Sequence, residues 1–196
     1  NLFIAVAISG AGNRVMTSPD GITWTTRTSA ADNNWRGIAF GAGLYVAVAD
    51  TGLITNQVMT SPDGVTWTSR SSATALAWFG VAFGNDLFVA VASTGVGNRV
   101  MTSPDGITWT ARVSAADSAW VSVAYGNGGF VAVANSGGAN QLVMTSPDGI
   151  NWTTRASPNA PWNSVIFTNG LFIAVGVEPS VDNKVMTSPD GITWPA

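Results

Sequence analysis

Acid–base or nucleophilic chemistry in this chain would have to run on aspartate, arginine and tyrosine. None of its 196 residues is cysteine or histidine, and there is one glutamate, Glu178, and one lysine, Lys184. Those absences exclude a histidine general base, a thiolate nucleophile, disulfides, and the usual zinc, haem and iron–sulfur sites. Five of the ten aspartates, Asp20, Asp63, Asp105, Asp148 and Asp190, stand between Pro and Gly at spacings of 43, 42, 43 and 42 residues. A carboxylate in that setting is a turn residue, because it bonds its own backbone a few residues on. The others, Asp32, Asp50, Asp86, Asp117 and Asp182, scatter over loops without the pairing that two-carboxylate glycoside hydrolysis needs. Four of the seven arginines, Arg27, Arg70, Arg112 and Arg155, are also a single repeat position. Asp32 or Asp117 with loop carbonyls is calcium-like chemistry, but no oxygen-ligand spacing recurs. No catalytic residue, metal site or cofactor is expected, and the chain reads as a non-enzyme.

What the aspartates mark is a repeat. Met-Thr-Ser-Pro-Asp-Gly begins at Met16, Met59, Met101, Met144 and Met186, and each copy runs on to a tryptophan: Trp24, Trp67, Trp109, Trp152 and Trp194. The other four tryptophans, Trp35, Trp78, Trp120 and Trp162, recur at 43, 42 and 42 residues and open a second apolar segment. Residues 13–25 are identical to residues 98–110, as expected of duplication. Such a period decides the whole fold.

Within one unit the pattern is four short strands and no helix. In the second copy, apolar runs at 35–40 and 44–49 flank Gly41-Ala42-Gly43. A variable loop leads to a strand at 57–61, the turn Pro62-Asp63-Gly64, and a last strand at 65–70. Runs of β-branched and aromatic residues between Gly, Pro, Asn and Asp clusters are strand signals, and none reaches helical length. The first two strands, a and b, are apolar on both faces and so lie between other sheets, whereas the last, d, alternates and belongs at a wetter edge. Four-stranded antiparallel units every 42 or 43 residues predict an all-β, five-bladed β-propeller. The chain is one domain, 1–196, with units at about 1–27 (partial), 35–70, 78–112, 120–155 and 162–194. The tryptophans count five d strands but only four a strands, so the first blade is expected to lack its innermost strand. Either the sequence continues a longer polypeptide or that blade closes with three strands, leaving an edge open to pairing.

Ser18-Pro19-Asp20-Gly21-Ile22-Thr23-Trp24 and its four copies resemble the Asp-box, or bacterial neuraminidase repeat, of pattern Ser-x-Asp-x-Gly-x-Thr-Trp. The residue between Asp and Gly is missing here, so the turn is a shorter variant. Closer still is the resemblance to the Ser-Pro-Asp-Gly-x-Thr-Trp repeat proteins of marine bacteria and their phages. The resemblance implies a propeller with this hairpin between strands c and d, set in an extracellular, cell-surface or virion context. It does not imply sialidase activity. That chemistry resembles a Tyr nucleophile backed by Glu, with an acid/base Asp and three arginines, and Tyr45, Tyr125 and Glu178 stand in unrelated positions.

Strand order fixes which face each loop occupies. The a–b and c–d turns share one face and are nearly constant; the b–c and d–a loops share the other and vary. Variable polar loops on a rigid scaffold are where binding usually lives, so a protein or glycan partner is expected there. Each b–c loop ends on an asparagine: Asn13, Asn56, Asn98, Asn140 and Asn183. Five amides would suit sugar hydroxyls multivalently, or the asparagines are left-handed turn residues. The tryptophans opening strand a read as core. With 10% charged residues and a net charge of -3, no nucleic-acid footprint is present. Apolar runs of about seven residues fall short of the roughly 20 needed for a membrane helix. The expected role is a non-enzymatic interaction or structural module within a larger assembly, with a multivalent lectin as the alternative and a glycoside hydrolase more remote.

Overall fold

The computed structural model describes residues 2–177 and 184–195. It contains five antiparallel sheets in chain order. The first is β1 (Phe3–Val6), β2 (Val15–Ser18) and β3 (Thr25–Arg27). The second is β4 (Trp35–Gly41), β5 (Leu44–Ala49), β6 (Val58–Ser61) and β7 (Thr68–Arg70). The third is β8 (Trp78–Gly84), β9 (Leu87–Ala92), β10 (Val100–Ser103) and β11 (Thr110–Arg112). The fourth is β12 (Trp120–Gly126), β13 (Gly129–Ala134), β14 (Val143–Ser146) and β15 (Thr153–Arg155). The fifth is β16 (Trp162–Thr168), β17 (Leu171–Gly176) and β18 (Val185–Ser188). Each sheet is an up-and-down meander, and the one regular helical piece among the described residues is a 3₁₀ turn at Ile54–Asn56.

The inner strands β4, β8, β12 and β16 pack successively on one another, as the hubs of adjacent blades do. Small residues permit this approach. A Cβ on Gly37 would stand 2.7 Å from the Phe79 carbonyl oxygen, and one on Gly80 would stand 3.0 Å from Ser122 Cα. Where the repeat has serine instead, Ser122 Oγ accepts from the Val165 N–H at 3.1 Å and so links β12 to β16. A one-residue bulge follows the tryptophan that opens each inner strand, between Trp35 and Gly37 and at the equivalent places in β8, β12 and β16. Bulges of this kind bend a strand and increase its twist.

The four tryptophans that open the inner strands are core, with Trp35, Trp78, Trp120 and Trp162 essentially without solvent exposure. Each indole N–H donates to the carbonyl four residues earlier, on Ala31, Thr74, Ala116 and Pro158. A fully buried tryptophan needs such a partner. The second strand of each central blade, such as β9, is buried almost throughout, and the outer β7, β11 and β15 are exposed or half-buried, matching the expected gradient from hub to edge.

The first blade has three strands and lacks the innermost one, as the tryptophan count requires. The fifth blade departs from expectation, because a d strand at Trp194 is not formed among the described residues. In the other units that strand is three residues long and starts at the residue after the tryptophan, as Thr68–Arg70 follows Trp67, whereas here the described residues run only to Pro195. The d strands are also shorter than 65–70 and its equivalents suggest, for a reason that lies in the turn. The end blades expose surfaces that inner blades bury. Met16 and Trp24 are about two-fifths open while Met101 and Trp109 are buried, and Val175 and Val185 are exposed where Val133 and Val143 are sealed.

Candidate functional site

Each Pro-Asp-Gly turn is closed by its own side chains. In the second blade, Asp63 Oδ1 accepts from the backbone N–H groups of Val65 and Thr66, both at 2.8 Å, and from Ser61 Oγ at 2.9 Å. Ser61 Oγ in turn accepts from the Gly64 N–H, and Trp67 Nε1 donates to the Gly64 carbonyl at 3.1 Å. The carboxylate pattern recurs at Asp20, Asp105, Asp148 and Asp190, and Trp24, Trp109, Trp152 and Trp194 each repeat the indole bond to their turn glycine. Because Val65 and Thr66 give their N–H groups to Asp63, they cannot pair with β6, and the outer strand begins only at Thr68.

Three donors on one carboxylate favour its charged form. The backbone N–H of Thr23, then that of Ile22, then Ser18, hold Asp20 down to about 2. Asp63 is held at about 2 by Thr66, Val65 and Ser61, and Asp105 also at about 2, chiefly by the Thr108 N–H. At Asp148 burial pushes upward, yet the bonds from Asn151, Ile150 and Ser146 outweigh it and the carboxyl lies well below the usual range. Asp190 is lowered too, first by the Thr193 N–H. A general acid needs a pKa near the working pH; these carboxyls move the other way. The repeat arginines are likewise occupied, with Arg27, Arg70, Arg112 and Arg155 donating through Nε to Thr17, Thr60, Thr102 and Thr145.

On the variable face the loops are clasped in pairs. Asp32 accepts from the Gly12 N–H and lies 3.8 Å from Arg14 Nε. Asp117 repeats this with the Gly97 N–H at 2.7 Å and Arg99 Nε at 3.7 Å. In the second blade the clasp is Gln57, whose amide donates to the Leu76 carbonyl and accepts from Ser72. Asp50 is engaged by Arg36 at 2.6 Å. Each b–c loop of the first three blades is thus tied to the d–a loop that follows it.

The asparagines do not share one environment. Asn56 Oδ1 accepts from the Leu53 N–H at 2.8 Å, and Asn33 Nδ2 donates to the Asn56 carbonyl at 2.6 Å, so this residue is built into its loop. Asn140 is an exposed left-handed residue at φ 58°. Asn13 is exposed, whereas Asn98 Oδ1 is buried without a hydrogen-bond partner. Asn183 lies outside the described residues. Among the described residues none of these asparagines is hydrogen-bonded to another. Sequence reasoning passed over the aliphatic residues of the same face: Leu53 is 70% exposed, Val96 87%, and Ile8 and Ile54 are also open. Their signal was an apolar side chain inside an otherwise small and polar loop.

On the opposite face, between the fourth and fifth blades, lies a cavity of about 310 Å³ walled by Phe130, Val131, Phe172 and Ile192, with Arg155 and Asp190 among its polar groups.

No family model and no curated protein matches the sequence. Solved structures do match in fold. YCF48 bound to a D1 peptide superposes with a TM-score of 0.65 at 18% identity, over 99% of this chain and 65% of that one. Virginiamycin B lyase from Staphylococcus aureus gives 0.67 at 16% identity, over 84% of this chain and 56% of its own. A nidogen/laminin complex gives 0.62 at 11% identity, over 88% and 66%. These neighbours are β-propellers and the chain shares their fold. It spans less than two thirds of the length of the first two.

Proposed function

We propose that this propeller is a non-enzymatic interaction module, displayed on a virion or cell surface, whose variable loop face binds a protein partner. The observation that carries the reading is the set of exposed aliphatic side chains, Leu53, Ile54 and Val96, on loops clasped to a rigid scaffold. Apolar side chains held in water on a pre-organised surface mark a place that gains by being covered. The face offers a sugar no aromatic platform, which favours protein over glycan. The neighbours add a general precedent, since YCF48 is seen with a peptide and nidogen with laminin. The five repeat aspartates support the non-enzymatic part, because hydrogen bonds from their own turns engage them.

The lectin remains the second reading, favoured by Asn13 and Asn140, which are exposed on the variable loops. Selecting a displayed peptide library against the protein, beside a glycan array, separates the two. The expected result is peptide ligands whose binding is lost in Val96→Asp or Leu53→Asp, with the array silent. Glycan binding abolished by Asn13→Ala with Asn140→Ala would replace this reading with the lectin, and turnover of a sialoside would overturn its non-enzymatic part.

A further inference from the structure

The repeat is broken at one position that the propeller does not require to be broken. Strand b opens on Leu44 in β5, Leu87 in β9 and Leu171 in β17, but on Gly129 in β13. In two blades the leucine packs on the turn of the next one. Leu87 reaches into the next blade and comes within 3.0 Å of where a Cβ on the turn glycine Gly149 would stand, and Leu2 does the same at Gly64, at 2.8 Å. At the corresponding turn glycine of the fifth blade, Gly191, the nearest side chains are Val131 and Phe172, as Val46 and Phe88 are at Gly106, and the fourth blade has no leucine to contribute because its strand b opens on Gly129. The cavity of about 310 Å³ lies there, lined by Gly129 itself.

We infer that this cavity is a binding socket for the side chain of a leucine, or a similarly branched aliphatic residue, presented by a peptide. The missing side chain defines the ligand's shape, because leucine packs on the equivalent turn glycines Gly64 and Gly149. The walls are apolar where that side chain would sit: Phe130, Val131, Phe172 and Ile192. Arg155 lies at the same cavity with Nε fixed on Thr145 Oγ1 at 2.8 Å, and a guanidinium's other N–H groups are suited to a peptide carbonyl. The socket is held open by Asn127, whose amide crosses between blades to the Pro189 carbonyl at 2.6 Å and the Gly170 carbonyl at 3.4 Å. Its volume is at the small end of the range for ligand pockets, about 300 Å³ upward. It opens on the face of the constant turns, opposite the variable loops, and so does not depend on the function proposed for them.

The test is titration of the ¹⁵N-labelled protein with N-acetyl-leucine methylamide and, separately, N-acetyl-alanine methylamide. The leucine probe is expected to shift the Gly128, Gly129 and Gly191 amides with millimolar affinity, and the alanine probe to bind about tenfold more weakly or less. Gly129→Leu rebuilds the repeat. A Cβ there meets nothing nearer than the Ser146 carbonyl at 3.5 Å, so the variant is expected to fold, melt about 4 °C higher and lose the probe's shifts. Equal shifts from both probes, no shifts at these amides, or shifts that persist in Gly129→Leu would each overturn the socket. The comparison of the two probes on the unmodified protein stands even if the variant does not fold.

Discussion

The ring of Tyr125 fills the space that a Cβ on Gly84 would need, and the pair bridges two blades. Gly84 closes β8 and Tyr125 lies in β12, so the glycine is required by its neighbour and not by its own backbone. The same relation joins Gly41 to Phe83 and Gly126 to Phe167. Each of these rings also packs on the first aromatic of its own second strand, as Tyr125 does on Phe130 at 4.8 Å between centroids. Blade spacing is therefore set by a contact of ring on backbone.

Gly84→Ala should for this reason cost about 1–3 kcal/mol, the usual penalty for overpacking a filled site. Chemical denaturation measures it, and the near-ultraviolet signal of Tyr125 should change with it. A neutral result would mean that the ring moves aside freely and that the blades are not spaced by this contact.

A gain is expected one blade earlier. The a–b hairpins turn through two left-handed residues, Asn85-Asp86, Asn127-Gly128 and Asn169-Gly170, but the second blade uses Ala42 at φ 47° before Gly43. Alanine is strained there, and asparagine tolerates that region. Ala42→Asn should stabilise the protein by about 1 kcal/mol, seen as a later urea midpoint with an unchanged slope.

Acid should unfold the propeller through its turns. Asp20, Asp63 and Asp105 have pKa values lowered from 3.8 to about 2, so folding favours their charged forms. The sign follows directly: the stabilisation is complete above pH 4 and is lost as pH falls toward 2. Urea midpoints should hold steady from pH 7 to about 5 and drop below 4. Asp63→Asn keeps an acceptor for Val65 and Thr66 but does not titrate, so its midpoint should fall less steeply across that window. An identical acid slope in the variant would remove the turn carboxylates as the cause.

The propeller was legible because its repeat recurs every 42 or 43 residues and its punctuation is chemical. Strand β5 runs over 44–49 as read, between Gly43 and Asp50. The missing inner strand of the first blade followed from counting tryptophans. What escaped was settled by hydrogen bonds that periodicity does not encode. The outer strands are short because a carboxylate competes for Val65 and Thr66. The asparagines share a repeat position, yet their loops differ in length and conformation, so Asn56 is bonded inward while Asn140 is turned out. Gly129 stands where β5, β9 and β17 open on leucine, and the leucines packed on Gly64 and Gly149 show what it omits.

The loop clasps predict where local and global stability part. Asp117 is partly exposed and its approach to Arg99 at 3.7 Å is a surface ion pair, worth at most about 1 kcal/mol. Its bond to the Gly97 N–H is different in kind, since it fixes the loop that carries Val96. Asp117→Ala should leave the urea midpoint nearly unchanged while the Gly97 amide exchanges with solvent about tenfold faster or more, because that opening is local. If the variable face binds its partner as a pre-organised surface, the same variant should bind a selected peptide more weakly with Val96 still in place, the loss reflecting the cost of ordering the loop. Unchanged Gly97 exchange would show that Arg99, through its bonds to the Gly95 and Ser93 carbonyls at 2.8 and 2.9 Å, holds the loop without the aspartate.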